Sequence, residues 1–503
     1  MKLTKHLEQR TIWMTLLFVL GLAGFALVWV GTPQGVGTSP DAVSYISASR
    51  SLLAGDGWRQ WDGDLMAHWA PLYPTMLAVL NVISDAFNVP LLHILRVVNG
   101  LTLMAIIIGS GLWFDHFLTS RWLALLGTLS ILFSYPFVLI TFFAYSEPLF
   151  VLFTLLALHF LLRFISERHW SLLVAAGAVV AVACLQRYLG IALTLTGGLS
   201  ILLLMRGTPW IKRFVYGFVF GVIASVPLAA WMLRNYLETN TLTGERNEPV
   251  AALRDNFSDS YFTLFRWFFP EGVSFGYFRA SAVLLVLLIL WLLLVYRREH
   301  HLTLQIMIRA LPFPAEILPL VIFLMSYPMF FIVGSSGLMN LTVIDDRYLC
   351  PIYMPAMLVV FIMADRLAGW LNQRASFNKI PAAGTLLVAV VITLWLIYPA
   401  DRVISQVRAS SKTDYHPEHD SPIIRALQDS RPDGIVYSNY PLWPLIYAGL
   451  RSDAVPSDQD AWAELDPKAD VVVWFNDLSL CTAPAERKRY CIPTAYGLPE
   501  LIT

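Results

Sequence analysis

Roughly eleven apolar blocks, most of them about 17–25 residues long and nearly free of charge, constrain this chain of 503 residues more than any other feature. A helix of about 20 residues crosses a ~30 Å hydrocarbon core, and in lipid each backbone amide must find its partner within the same segment. The blocks predict spans at 11–30, 90–114, 122–141, 145–164, 170–186, 188–205, 213–232, 281–296, 312–333, 349–365 and 381–398. Composition agrees, with 57% of residues hydrophobic and 14% charged, against roughly a quarter charged in soluble domains. The first block exceeds a signal-peptide core and lacks a small-x-small cleavage site, so it reads as a retained anchor.

The basic residues set the orientation, because cytoplasmic loops collect Lys and Arg. With the N-terminus inside, the short inner segments hold Lys2, Lys5 and Arg10, then Arg121, then Arg163 and Arg168, then Arg206, Lys212 and Arg213. Arg297, Arg298 and Arg309 follow, and then Arg366, Arg374 and Lys379. Every inner segment is basic in this phase. An odd number of spans then leaves the tail outside. Within it, Gly434–Asn439 and Asp470–Phe475 read as short buried strands, and Tyr440 to Leu450 as a connecting helix. The expected fold class is an all-α polytopic membrane protein of about eleven transmembrane helices with a small α/β extracytoplasmic C-terminal domain. Residues 1–398 form the membrane part, including a first outer loop at 31–89, and residues 399–503 form the tail domain. Cys481 and Cys491 are free to pair in an oxidising compartment, whereas Cys184 and Cys350 lie in spans as small apolar fillers.

The first outer loop carries little positive charge and several acids, among them Asp41, Asp56, Asp62, Asp64 and Asp85. It starts as a helix: Ser39 is an N-cap residue, Pro40 suits the first turn, and Asp41 lies at the positive end of the dipole. Val43, Ile46, Leu52 and Leu53 recur at near-helical spacing, which lays the helix along the membrane surface until Gly55 and Gly57 stop it. Trp58, Trp61 and Trp69 follow, with Asp62, Asp64 and His68 among them, and then Ala70-Pro-Leu-Tyr-Pro74. Capping alone accounts for an aspartate at 41, and tryptophans commonly belt the membrane interface. The arrangement as a whole has a second meaning. A carboxylate beside the membrane, flanked by rings that stack on sugars, can deprotonate a hydroxyl for attack on a lipid-borne donor.

Asp41 with Tyr45, then Leu-Leu-Ala-Gly-Asp-Gly-Trp58 and His-Trp-Ala-Pro-Leu-Tyr-Pro74, resembles the first loop of the GT-C glycosyltransferases. The similarity is greatest to the branch holding the protein O-mannosyltransferases and the aminoarabinose transferases of lipid A. The resemblance implies transfer of a sugar from a polyprenyl phosphate to a glycan, lipid or protein acceptor at the extracytoplasmic face of a bacterial inner membrane. It makes Asp41 the catalytic base and Tyr45, Asp64 and His68 substrate-binding candidates. Two departures stand out: many relatives have a second acid where this chain has Ala42, and some have a basic residue where it has Ala70. A divalent metal, used by some members, is therefore left open as a cofactor.

Four further polar sites fall on the outer side in the same topology. Glu147, in Tyr145-Ser-Glu-Pro148, opens a span, where a carboxylate is costly unless paired or wet. A helix-start acid beside proline is the ordinary reading, and the acidic residue of related enzymes at this point favours a substrate-binding one. Gln186-Arg-Tyr188 interrupts two short spans, and the Arg187 fork matches phosphate geometry, although arginines also snorkel at interfaces. Arg234-Asn235 opens an outer loop that includes the aromatic run 261–269, read mainly as solvated surface with a membrane-dipping edge. Asp345-Asp-Arg-Tyr-Leu-Cys-Pro351 is similar to the Arg-Tyr before a late span in the same family. Arg347 is a donor-phosphate candidate with Arg187 and Tyr348; Asp345 and Asp346 orient it or bind a cation, and Asp346 is also a substrate-binding candidate. An exposed salt-bridge cluster is the bland alternative.

Asn256-Phe-Ser258 and Asn340-Leu-Thr342 match the glycosylation triplet. Lys plus Arg equals Asp plus Glu at 35 each, so no basic excess points to nucleic acid. The sequence has no P-loop, no Gly-rich dinucleotide turn and no metal-spaced Cys/His set, which argues against an ATP-driven pump. The rival class is a transporter or lipid flippase, in which polar groups gather at the bilayer midplane rather than at span ends.

Overall fold

A computed structural model describes residues 2–60, 63–205, 207–244, 252–270, 317–337, 344–373, 382–412 and 422–431. It also describes 434–438, 452–454 and 471–473 in the tail, with isolated positions at 276, 444 and 450. The predicted span at 281–296, the predicted helix at 440–450 apart from its isolated positions, and Cys481 and Cys491 lie outside these residues. The chain divides into two compact units. The first holds Met1–Pro33, His68–Ala70 and Arg96–Lys412, and the second holds Gln34–Ala67, Pro71–Leu95 and Thr413–Thr503.

The first unit is helical. Its elements are α1 (Lys2–Gly31), most of α4 (Leu91–Phe117), α5 (Arg121–Leu132), α6 (Tyr135–Thr141), α7 (Glu147–Glu167), α8 (Trp170–Gln186) and α9 (Ile191–Leu204). They continue with α10 (Trp210–Thr239), α11 (Leu253–Arg266), α12 (Leu318–Gly337), α13 (Asp346–Leu349), α14 (Tyr353–Gln373) and α15 (Ala383–Ser410). Among the described residues, seven helices are long and apolar enough to cross a membrane, or up to eight if one bent pair counts as a span. These fall on predicted blocks. Two other blocks, 170–186 and 188–205, form apolar helices of 17 and 14 residues.

The predicted single span at 122–141 is instead α5 and α6, bent by 40°. Pro136 has no amide to give the preceding turn, and Ser134 Oγ accepts from Phe137 N at 3.4 Å, capping a new helix. The predicted span 381–398 runs on to Ser410, past Pro399.

The helices bury aromatic and branched side chains against one another and turn others outward. Phe114, Phe137, Phe150, Phe220, Phe323 and Phe361 are fully buried, whereas Phe218, Met325, Met329 and Leu394 are more than half exposed, as lipid-facing positions require. Close approach needs small residues: at Gly197 on α9, a Cβ would lie 2.2 Å from Phe220 Cζ on α10. At one end of α14, Asp365 accepts from Thr119 N at 2.9 Å, Thr119 Oγ1 at 2.8 Å and Ser120 N at 3.2 Å, so it caps α5 across 246 residues of sequence.

The second unit holds α2 (Pro40–Ala54), α3 (Leu72–Phe87), α16 (Pro422–Ser430) and a small parallel sheet. Helix α2 begins and ends as its sequence predicts. Ser39 Oγ accepts from Ala42 N at 3.3 Å, and Gly55 takes the left-handed conformation (φ 90°) that its missing Cβ permits. Asn81 Nδ2 on α3 donates to Ser49 Oγ on α2 at 2.8 Å within their shared buried face. Strands β1 (Val436–Ser438), β2 (Ser452–Ala454) and β3 (Val471–Val473) pair in the order β2-β1-β3, all parallel. β1 and β3 fall on the two predicted strands, and β2 has no predicted counterpart.

Candidate functional site

Three residues from three separate stretches of the first unit meet at one carboxylate. Glu147 is the first residue of α7, where an acid faces the positive end of the helix dipole and Pro148 loses no hydrogen bond. Its side chain is 1% exposed, so it needs compensating charge. Arg187 Nη1 supplies one contact, 2.6 Å from Glu147 Oε1. Arg347 Nε donates to the same oxygen.

Each arginine is held by its local chain. Arg187 is the C-cap of α8, with an extended backbone (φ −152°, ψ 136°) and its amide bonded to Ala183 O. Its Nη1 also donates to Ser146 Oγ at 2.9 Å, and neighbouring Gln186 donates to Ser146 O at 3.0 Å. Arg347 lies in the single turn α13, where Asp345 Oδ1 accepts its backbone amide at 3.0 Å. Its guanidinium carbon stands 4.0 Å from the ring centroid of Tyr145 and 5.5 Å from that of Tyr348. Burial raises the Asp345 carboxyl above the usual carboxylate range, against the opposing pull of the Arg347 amide and guanidinium.

The charge balance of this cluster is its main chemical property. Two guanidiniums share the Glu147 carboxylate, and the Asp345 carboxyl lies within electrostatic reach of Arg347 and Glu147 as well. The arginine side chains keep 14% and 12% exposure while Glu147 keeps 1%. The carboxylate is therefore a buried anchor, and the cationic faces are what remains reachable. Two arginine forks held together in this way match the geometry of a phosphate.

Asp346 turns the other way from Arg347. Trp267 Nε1 donates to its Oδ1 at 2.6 Å and Arg402 Nη2 to its Oδ2 at 3.3 Å. Arg402 in turn packs 3.6 Å over the Tyr135 ring centroid. The Tyr348 ring stacks on Phe331 at 5.2 Å, and its backbone carbonyl accepts from Tyr327 Oη at 3.0 Å. His68 packs against Trp69 with the ring centroids 4.6 Å apart and the planes tilted at 53°.

The second unit carries the remaining predicted residues. Asp41 is the second residue of α2 and half-buried. One turn later Tyr45 is 4% exposed, edge-on to Tyr73 at 5.0 Å. Asp64 is exposed and closes a turn in which Gln60 N donates to its carbonyl at 2.8 Å, beside the Arg59–Leu65 bridge. Trp61 and Asp62 lie outside the described residues.

One sequence signal changes meaning. Asn256 is fully buried and donates to Ser336 Oγ at 2.9 Å, so its glycosylation triplet is a helix-packing residue instead. The triplet at Asn340 lies outside the described residues. Among the described residues, no three His, Cys, Asp or Glu side chains converge as a metal centre requires. The chemistry below is therefore derived without one.

Sequence reasoning did not single out Trp267, Arg402, Trp231 or the Tyr188 hydroxyl. Only Arg402 left a signal, as a charge next to Asp401 at the end of the last apolar block.

No protein-family model matches the chain, and no curated protein matches it. Solved structures do. ArnT from Cupriavidus metallidurans bound to undecaprenyl phosphate aligns with a TM-score of 0.56 at 16% identity, covering 92% of this chain and 90% of that one. The same protein in the apo state gives a TM-score of 0.57 at 14% identity with the same coverage. The archaeal oligosaccharyltransferase AglB from Archaeoglobus fulgidus, in complex with an inhibitory peptide and a dolichol-phosphate, gives 0.54 at 12% identity. That alignment covers 89% of this chain and 65% of AglB. The chain therefore shares its fold with ArnT and AglB.

Proposed function

We propose that this protein is an integral membrane glycosyltransferase that moves a sugar from a polyprenyl-phosphate donor to an acceptor hydroxyl at the extracytoplasmic face. The observation that carries the proposal is the Glu147 cluster: two partly exposed arginines that a buried carboxylate holds side by side at the ends of apolar helices. The likeness to a fold seen with undecaprenyl phosphate in ArnT and dolichol-phosphate in AglB supports the same reading.

In this mechanism the donor phosphate docks on Arg187 and Arg347, beside Tyr348. Asp41 takes the proton of the acceptor hydroxyl. The resulting oxygen attacks the anomeric carbon from the face opposite the phosphate, and the bond between that carbon and the phosphate oxygen breaks with inversion. Both electrons of that bond leave with the polyprenyl phosphate, whose developing charge the arginines stabilise. Glu147 keeps the two guanidiniums in register. Tyr45, Asp64, His68 and Asp346 are the substrate-binding candidates in this reading. The acceptor is a glycan, a lipid or a protein, and the membrane is a bacterial inner membrane with the tail outside.

The polar groups of the cluster come from the ends of α7 and α8 and from the start of the Asp346–Gln373 span, not from mid-span positions. That distribution favours an interfacial enzyme over a transporter. The test is incubation of the purified protein with a panel of polyprenyl-phosphate sugars, with release of the lipid phosphate as the signal. Release with one sugar, lost in Asp41→Asn, is the expected result. No release with any donor, together with no binding of the lipid phosphate, overturns the proposal.

A further inference from the structure

Tyr188 follows Arg187 directly, and its hydroxyl has three partners from two other parts of the first unit. It donates to Trp69 O at 3.1 Å. It accepts from Trp231 Nε1 at 2.9 Å and from Asn235 Nδ2 at 3.3 Å. One donor and two acceptor sites are what a phenol offers, so the hydroxyl is fully engaged. The partners are well fixed themselves. Trp231 is 8% exposed and Asn235 fully buried on α10, and Asn235 also donates to Leu242 O and accepts from Arg234.

The backbone under Tyr188 has little freedom. Residues Tyr188–Gly190 form one 3₁₀ turn, closed by Gly190 N donating to Arg187 O at 2.8 Å. A Cβ at Gly190 would lie 2.6 Å from both the Cα and the N of Cys184, so this turn sits directly on the end of α8. Arg187 thus has its carbonyl bonded within the turn, its amide bonded to α8, and its neighbour's hydroxyl bonded to α10 and to the His68–Ala70 stretch. Arg187 itself reaches Glu147 and Ser146.

We propose that Tyr188 is a positioning residue: its hydroxyl, anchored on Trp231, Asn235 and Trp69, sets the direction in which Arg187 presents its guanidinium to an anionic group. The inference rests on the reading of Arg187 as a phosphate ligand and adds the element that aims it. It also joins phosphate binding to the first-loop stretch at Trp69, so that this stretch is held in place by the same hydroxyl that orients the arginine.

The experiment uses the full-length protein in lipid nanodiscs and titrates undecaprenyl phosphate itself, without a sugar. Tyr188→Phe keeps the ring and removes the hydroxyl. The expected result is affinity about 5–10-fold weaker, the scale of one to two net hydrogen bonds. In an Arg187→Ala background the same substitution should change affinity less than about twofold, because a positioning residue acts only through what it positions. Equal losses in both backgrounds would mean a general structural role and overturn the inference, as would no loss in either. Trp231→Phe removes the Nε1 donor along with part of the ring and serves as the second variant, with a loss that also vanishes without Arg187. If wild type fails to bind undecaprenyl phosphate, the phosphate reading falls first and takes this inference with it. Wild-type binding with unchanged Tyr188→Phe refutes the positioning role alone.

Discussion

Arg347→Ala tests the charge balance at the centre of the site. In the wild-type cluster two guanidiniums face Glu147, and the variant leaves Arg187 as its partner at 2.6 Å. The buried carboxylate keeps a partner, so the substitution avoids the penalty of an orphaned charge, and the loss should appear in binding more than in folding. One charge-assisted hydrogen bond to a phosphate is worth about 2–3 kcal/mol, or about 30–150-fold in affinity. The packing of the guanidinium over Tyr145 at 4.0 Å adds to the stability side only. The assay is titration of undecaprenyl phosphate at two salt concentrations, with thermal melting alongside. Arg163→Ala is the control: it removes the same charge from the opposite end of α7, about 24 Å away by helical rise, from a pair that is exposed. Its affinity should match wild type. A loss below threefold in Arg347→Ala, or an equal loss in Arg163→Ala, refutes the reasoning, because either result would mean that local charge does not hold the phosphate.

Three other substitutions separate the remaining roles. Asp41→Asn should lower sugar transfer by about 10²–10⁴-fold, the range of a general base, while undecaprenyl phosphate affinity stays within twofold; rapid transfer in that variant would remove Asp41 from the chemistry. Glu147→Gln leaves two buried guanidiniums facing each other and should destabilise the fold by about 3 kcal/mol, the low end for breaking a buried pair because both arginines are partly solvated. An unchanged melting temperature would count against the anchor role. Asp365→Asn weakens the cap on α5 and should cost about 1–3 kcal/mol in thermal melting with turnover per folded molecule unchanged, since it lies about 28 Å along the span from Arg347.

What could be read in advance from the residues follows the range of the forces involved. Helix α2 was legible because its signals are local: Ser39, Pro40, Asp41 and Gly55 act within one turn of where they stand. The apolar blocks were legible because lipid imposes one length on every span. The break between α5 and α6 was marked by Ser134-Tyr-Pro136, but a hydropathy window averages over it, and the two helices merged into one block. Asn256 failed in the opposite direction. Its triplet is a three-residue pattern, whereas burial against Ser336 is decided 80 residues away.

The candidate site divides along the same line. Alternating basic loops place Glu147, Arg187 and Arg347 on one side of the membrane, and that common side is all such a rule contains. It says nothing of which carboxylate oxygen both arginines share. That depends on how α7, α8 and the Asp346–Gln373 span pack, and packing in turn depends on contacts such as Gly190 against Cys184 and Tyr353 on Ser130 O. The two consecutive residues Asp346 and Arg347 make the point most directly. As neighbours of opposite charge they look like a pair that neutralises itself. In the fold Asp346 is taken by Trp267 and Arg402, from 79 and 56 residues away, and Arg347 by Glu147, from 200 residues away. Had they paired with each other, Glu147 would face Arg187 alone. The pair of arginines proposed to hold a phosphate therefore arises from a long-range exchange of partners, which only the assembled helices can make.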